Sequence, residues 1–161
     1  MSKAKGLRLL VVLLVVPAIA VVAGGASASP PTPVSGTFIY TSSSFESIRS
    51  AGGNTIIELT ATVVYTGTFT GTSTVHGKLI AHADGRANFH DVEVFTGTVN
   101  GVPGTVTFNL SGSNDSAFNV TATNTIVRAT GSLAGLHGVL RMAGTVQIPA
   151  GPVGTYSGEI G

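Results

Sequence analysis

Apolar and polar residues alternate with a period of two along two stretches of the chain. Ile57, Leu59, Ala61, Val63 and Tyr65 interleave with Glu58, Thr60, Thr62 and Thr66. Val106, Phe108 and Leu110 interleave with Thr105, Thr107, Asn109 and Ser111. Successive side chains of a strand point to opposite faces, so each apolar set predicts an inward face. Thr and Val, stiff at the first side-chain torsion, crowd much of the remaining chain, and Gly, Asn-Gly and Asp-Gly punctuate it. No apolar stripe of helical period is present after the N-terminal segment. Strands are predicted near Gly36–Thr41, Thr55–Tyr65, Ser73–Ala83, Arg86–Thr98, Thr105–Ser111, Phe118–Arg128, Gly138–Ile148 and Val153–Ile160. The expected fold is all-β: a single eight-stranded antiparallel β-barrel of calycin-like size, closed so that no edge is left free. Ser42 to Asn54 reads as the longest irregular stretch, either covering a barrel mouth or forming a wide loop.

The turns set the register. Across Asn100-Gly101 a two-residue loop pairs Phe95 with Val106 and Glu93 with Phe108, whereas a four-residue loop pairs Glu93 with Leu110. Either way the face carrying Ala87, Phe89, Asp91, Glu93 and Phe95 turns inward. At Asp84-Gly85 a plain two-residue turn would drag His76, Lys78 and His82 inward. A type I turn with Gly85 in a left-handed bulge instead pairs Val75 with Glu93, Gly77 with Asp91 and Leu79 with Phe89. Every apolar face then agrees, and the bulge is the expectation.

This register places two carboxylates, Asp91 and Glu93, on the inner face beside Phe89, Phe95 and Phe108. An ionised carboxylate there is costly unless it is paired, hydrated or protonated. Two readings stay open. The pair solvates a wet rim, or it is a polar anchor in an apolar pocket. The candidate pocket residues are therefore Glu93, Asp91, Phe89, Phe95, Phe108 and Tyr65, with no catalytic residue assigned.

The N-terminal segment changes the picture of where the barrel works. Lys3, Lys5 and Arg8 precede an apolar run from Leu9 to Ala23, and Ala26-Ser27-Ala28 supplies a small-residue cleavage pattern. Residues 1–28 read as a secretory signal peptide, residues 29–33 as a stiff Pro-rich linker, and residues 34–161 as the barrel domain. The apolar run is shorter than the roughly 20 residues of a spanning helix. The expected location is secreted, with membrane contact only through an uncleaved signal. From Ser29 onward five basic side chains face seven acidic ones, a net charge of −2. No basic stripe remains for phosphates, which argues against nucleic-acid binding.

The chain has no cysteine, hence no disulfide and no thiol chemistry. His76 and His82 lie about 20 Å apart along one strand, and His90 points outward, so no histidine spacing fits a metal. No Gly-x-Ser-x-Gly elbow occurs, and the glycine-rich stretch from Ala129 to Gly138 opens no helix that would hold phosphate. No cofactor is implied.

Three blocks, TGTFTGTS (Thr66 to Ser73), EVFTGTVNGVPGTV (Glu93 to Val106) and ATGSLAGLHG (Ala129 to Gly138), carry a resemblance. From Val34 to Ile160 the chain resembles a family of small bacterial domains of unknown function that shares the barrel of allene oxide cyclase and the plant dirigent proteins. The family pattern has Glu at Glu93, an aromatic at Phe89 and Phe at Phe95. Asp91 stands where Gly is usual and Leu110 where His is frequent, so no acid–base pair built on that histidine is implied. The resemblance implies a barrel, with a homo-oligomer among its expected forms, and no known reaction. The leading expectation is a binder of a small apolar molecule or an extracellular interaction module. Its rivals are a cyclase- or isomerase-like enzyme using Glu93, by analogy of fold, and a purely structural barrel with a filled interior. Cavity volume separates them.

Overall fold

The computed structural model describes residues 30–161. The segment read as a signal peptide and its expected cleavage site lie outside the described residues. Eight strands follow one another: β1 (Thr32–Ala51), β2 (Asn54–Gly67), β3 (Phe69–Ala81), β4 (Ala87–Val99), β5 (Val102–Asn114), β6 (Asn119–Gly131), β7 (Gly138–Gln147) and β8 (Gly151–Ile160). Each pairs antiparallel with the next, and β1 pairs with β8, so the sheet closes into a ring.

Of the two loops left open at Asn100-Gly101 the structure selects the shorter, and the bulge expected at Gly85 is present. Asn100-Gly101 forms a two-residue turn with both residues at positive φ, and Glu93 pairs with Phe108 and Phe95 with Val106. At the preceding hairpin the His82 N–H donates to the Arg86 carbonyl and the Gly85 N–H to the His82 carbonyl, with Gly85 at φ +85°. The bulged loop pairs Val75 with Glu93, Gly77 with Asp91 and Leu79 with Phe89. The two alternating stretches face as expected: Ala61, Val63, Tyr65, Val106, Phe108 and Leu110 are buried.

Two expectations at the N-terminal end need correction. Ser42–Asn54 is not irregular. It is the second half of β1 and its hairpin to β2, with bulges between Tyr40 and Ser42 and between Phe45 and Ser47. These residues are exposed and carry no alternation to betray a strand; the β2 backbone holds them. The Pro-rich segment is also not wholly a linker, because Thr32 and Pro33 pair with Ile160 and Glu159. Proline is tolerated there because the β1–β2 ladder starts only at Gly36, leaving β1 a neighbour on one side.

One end of the interior is packed solid. Phe69, Phe95, Phe108, Tyr65 and Tyr156 meet with ring centroids 5.4–5.9 Å apart, mostly edge to face. The Phe69 N–H donates to Tyr156 Oη at 2.8 Å, and the Tyr156 hydroxyl donates to the Thr66 carbonyl at 3.1 Å. A phenol thus satisfies backbone groups at the β2–β3 turn while its ring fills the core. The other end, ringed by the β1–β2, β3–β4, β5–β6 and β7–β8 turns, is open.

Candidate functional site

The inward residues of β4 descend from the open end as Ala87, Phe89, Asp91, Glu93 and Phe95. The first three line a cavity of about 740 Å³, whose walls include Phe38, Tyr40, Leu59, Ala122 and Met142. Phe45, Phe118 and Ile148 also line it and are, respectively, 60%, 42% and 77% exposed, so the mouth has an apolar rim. At the level of Asp91 the carboxylate itself takes the space that a side chain on β3 would fill. Gly77 is its partner on β3, and a β-carbon there would collide with the Asp91 carboxylate.

Glu93 lies one inward step deeper and is fully buried. Asn124 Nδ2 donates to its Oε2 at 2.8 Å. Glu93 Oε1, Asn124 Oδ1, Ser73 Oγ and Tyr65 Oη are buried without a hydrogen-bond partner. Burial pushes the Glu93 pKa up, against the pull of the Ser73 and Tyr65 hydroxyls and the Asn124 amide. The carboxyl is thereby biased toward its neutral form, which adds an O–H donor beside the Asn124 Oδ1 acceptor that lacks one.

Asp91 sits between this polar cluster and the cavity. Burial, and next the neighbouring Glu93, push its pKa up to about 7, with the Lys78 backbone N–H acting the other way. The phenols of Tyr40 and Tyr65 are raised too, first by burial and then by Glu93. The arrangement is a buried carboxyl biased toward its neutral form beneath a second carboxyl that lines an apolar chamber.

Of the six pocket candidates, Asp91 and Phe89 line the cavity. Glu93 lies beneath it, and Tyr65, Phe95 and Phe108 fill the packed half. The mouth residues Phe45, Phe118 and Ile148 and the wall residue Tyr40 went unrecognised as pocket residues. All four sit at or beside bulges or turns, where period-two alternation gives no dependable inward face. Among the described residues no group of three or more His, Asp or Glu could hold a metal. His82 is tied at the rim, with Nδ1 2.8 Å from Asn54 Oδ1 and Nε2 2.9 Å from Asn88 Nδ2.

A family model described as "Protein of unknown function (DUF3224)" matches residues 34–148. The chain belongs to the DUF3224 family. The match takes in Tyr40, Asp91, Glu93 and Asn124 and stops before β8, the strand that closes the ring. A DUF3224 protein of unknown function from Shewanella oneidensis MR-1 has a similar structure, with a TM-score of 0.65 over 82% of this chain and 98% of its own. At 19% identity that likeness shows a shared fold. None of the curated proteins matches the chain. The two departures noted in the sequence, Asp91 and Leu110, are direct cross-strand partners. Both line the cavity.

Proposed function

We propose that this DUF3224 protein is an exported binder of a small apolar molecule, held in the open half of a barrel of the allene oxide cyclase and dirigent type. The observation that carries the reading is the cavity itself. About 740 Å³ lies within the range of ligand pockets, roughly 300–1,000 Å³, and apolar walls with few polar groups are their usual lining. A barrel with a purely structural interior would fill both halves as it fills the aromatic one.

The test uses N-phenyl-1-naphthylamine, a neutral apolar fluorophore. The wild-type protein is expected to bind it with micromolar affinity and enhance its emission. Ala122→Phe, placed in the cavity wall, is expected to weaken binding at least about tenfold with an unchanged melting temperature. Absence of binding by the folded wild type would instead favour the structural reading.

A second reading has one observation in its favour. A carboxyl that titrates near neutrality is suited to general acid–base chemistry, so Asp91 could serve a cyclase or isomerase acting on a lipid-like substrate. Protein taken from its own host with a pair of isomers bound, rather than a single compound, would favour it.

Export is part of the proposal. The intact mass of protein recovered outside the cell is expected to correspond to a chain beginning at Ser29. A full-length product retained at the membrane would identify an uncleaved anchor instead.

A further inference from the structure

We propose that the cavity selects apolar molecules bearing a cationic nitrogen, whose ammonium group is set against Asp91 on the floor. The inference rests on the cavity reading above and deepens it by naming the head group.

The argument begins with the charges that face the chamber. Asp91 is an inward carboxyl on its floor. Directly behind it, two residues along the same face of β4, Glu93 is fully buried with Oε1 lacking a partner. Opposite Asp91 stand Gly77 on β3 and Leu110 on β5, neither of which offers a charge or a donor side chain. Tyr40, from β1, lines the same chamber and presents a phenol.

Among the described residues no basic side chain forms an ion pair with Asp91, although His76, Lys78 and His90 line a second pocket that Asp91 also touches. Lys78 points outward and pairs with Glu58 at 3.3 Å. Arg86 lines the mouth and is engaged with Asp84 at 2.8 Å. Arg49, Arg128 and Arg141 are exposed. His82 is held at the rim by Asn54 and Asn88.

An anionic head group would therefore meet one or two carboxyls with nothing to neutralise it. A neutral alcohol could hydrogen-bond Asp91 but would leave its charge uncompensated. An ammonium group supplies both the charge and the donors, and charge-assisted hydrogen bonds are about twice as strong as neutral ones. The raised Asp91 pKa fits this view, because a buried carboxyl without a counter-ion is expected to hold its proton until a cation arrives. Phe38, Tyr40 and Phe89 add aromatic faces to the same chamber, which favours a cation further.

The experiment displaces N-phenyl-1-naphthylamine at pH 8 with three ten-carbon chains that differ only in head group: decylamine, 1-decanol and decanoate. Decylamine is expected to displace the probe at concentrations at least about tenfold below decanoate. Asp91→Asn is expected to remove the advantage of decylamine over decanol while leaving decanol unchanged, which also shows that the variant is folded. Decanoate competing as well as decylamine, or decylamine binding Asp91→Asn as it binds the wild type, would overturn the head-group assignment and leave the cavity reading standing. If neither the probe nor any chain binds, the cavity reading falls and the assignment falls with it.

Discussion

Leu110→Asp is expected to cost roughly 4 kcal/mol or more, enough to unfold much of the population at growth temperature. Leu110 is 4% exposed and packs in the apolar cluster beside Phe108. Its cross-strand partner on β4 is Asp91, so the new carboxylate would face an existing one with Glu93 one step deeper. Neither can find a cation there. Thr107→Asp is the matched control on the same strand. Thr107 faces outward and pairs with Arg128 on β6, so its change in stability should stay within about 0.5 kcal/mol. Chemical denaturation of the two variants measures the difference; a Thr107 variant weaker than the Leu110 variant would mean that the faces of β5 are reversed.

Stability is also expected to fall, rather than rise, between about pH 4 and pH 7. Asp91 ionises near 3.8 in the unfolded chain but at about 7 when folded. Across that window the folded protein holds a proton that the unfolded chain has released, so the free energy of unfolding decreases as pH rises. The shift amounts to about 4 kcal/mol at most. Glu93, raised in the same direction by burial, adds to the decline. Asp84, held low by Arg86, and Asp115, held low by Asn119, act in the opposite sense. Their stabilisation is lost only as pH falls through values below 3.8, outside the window. Thermal melts from pH 4 to 8 should therefore show the maximum on the acid side. Asp91→Asn should flatten the slope and raise the melting temperature at pH 8, and Glu93→Gln should act in the same direction while keeping the fold. A wild-type profile that rises steadily to pH 7 would mean that Asp91 ionises freely in the folded protein.

Much of this architecture was legible because strands of a closed sheet obey one strict period and short turns fix their offsets. Asn100-Gly101 and Asp84-Gly85 sufficed to bring Asp91 and Glu93 onto the inner face and to oppose them to Gly77 and Val75, while the choice between Phe108 and Leu110 as the partner of Glu93 depended on a loop length that the sequence left open. The second half of β1 was not legible, because Ser42–Ala51 is exposed on both faces and two bulges interrupt its period. Depth along the barrel was also hidden. Phe89 and Phe95 share a face and look equivalent in sequence, yet one lines the cavity and the other sits in the aromatic plug. Which is which depends on how eight strands are staggered against one another, a property of no single segment. The mouth residues Phe118 and Ile148 belong to turns, where side-chain direction follows local backbone torsions instead of alternation.

The ring has one seam unlike the others. Seven of its ladders join strands consecutive in the chain, and each can zip from its own turn. The eighth joins β1 to β8, where Thr32 meets Ile160 and Ile39 meets Val153. Its entropic cost grows only slowly with the length of chain it encloses, but none of that cost is returned until both strands are already in place. Mean sequence separation between touching residues is therefore large, and such topologies fold in milliseconds to seconds rather than microseconds. Until the seam closes, β1 and β8 are both bare edges, and the interval before closure is when this chain is most exposed to pairing with its neighbours.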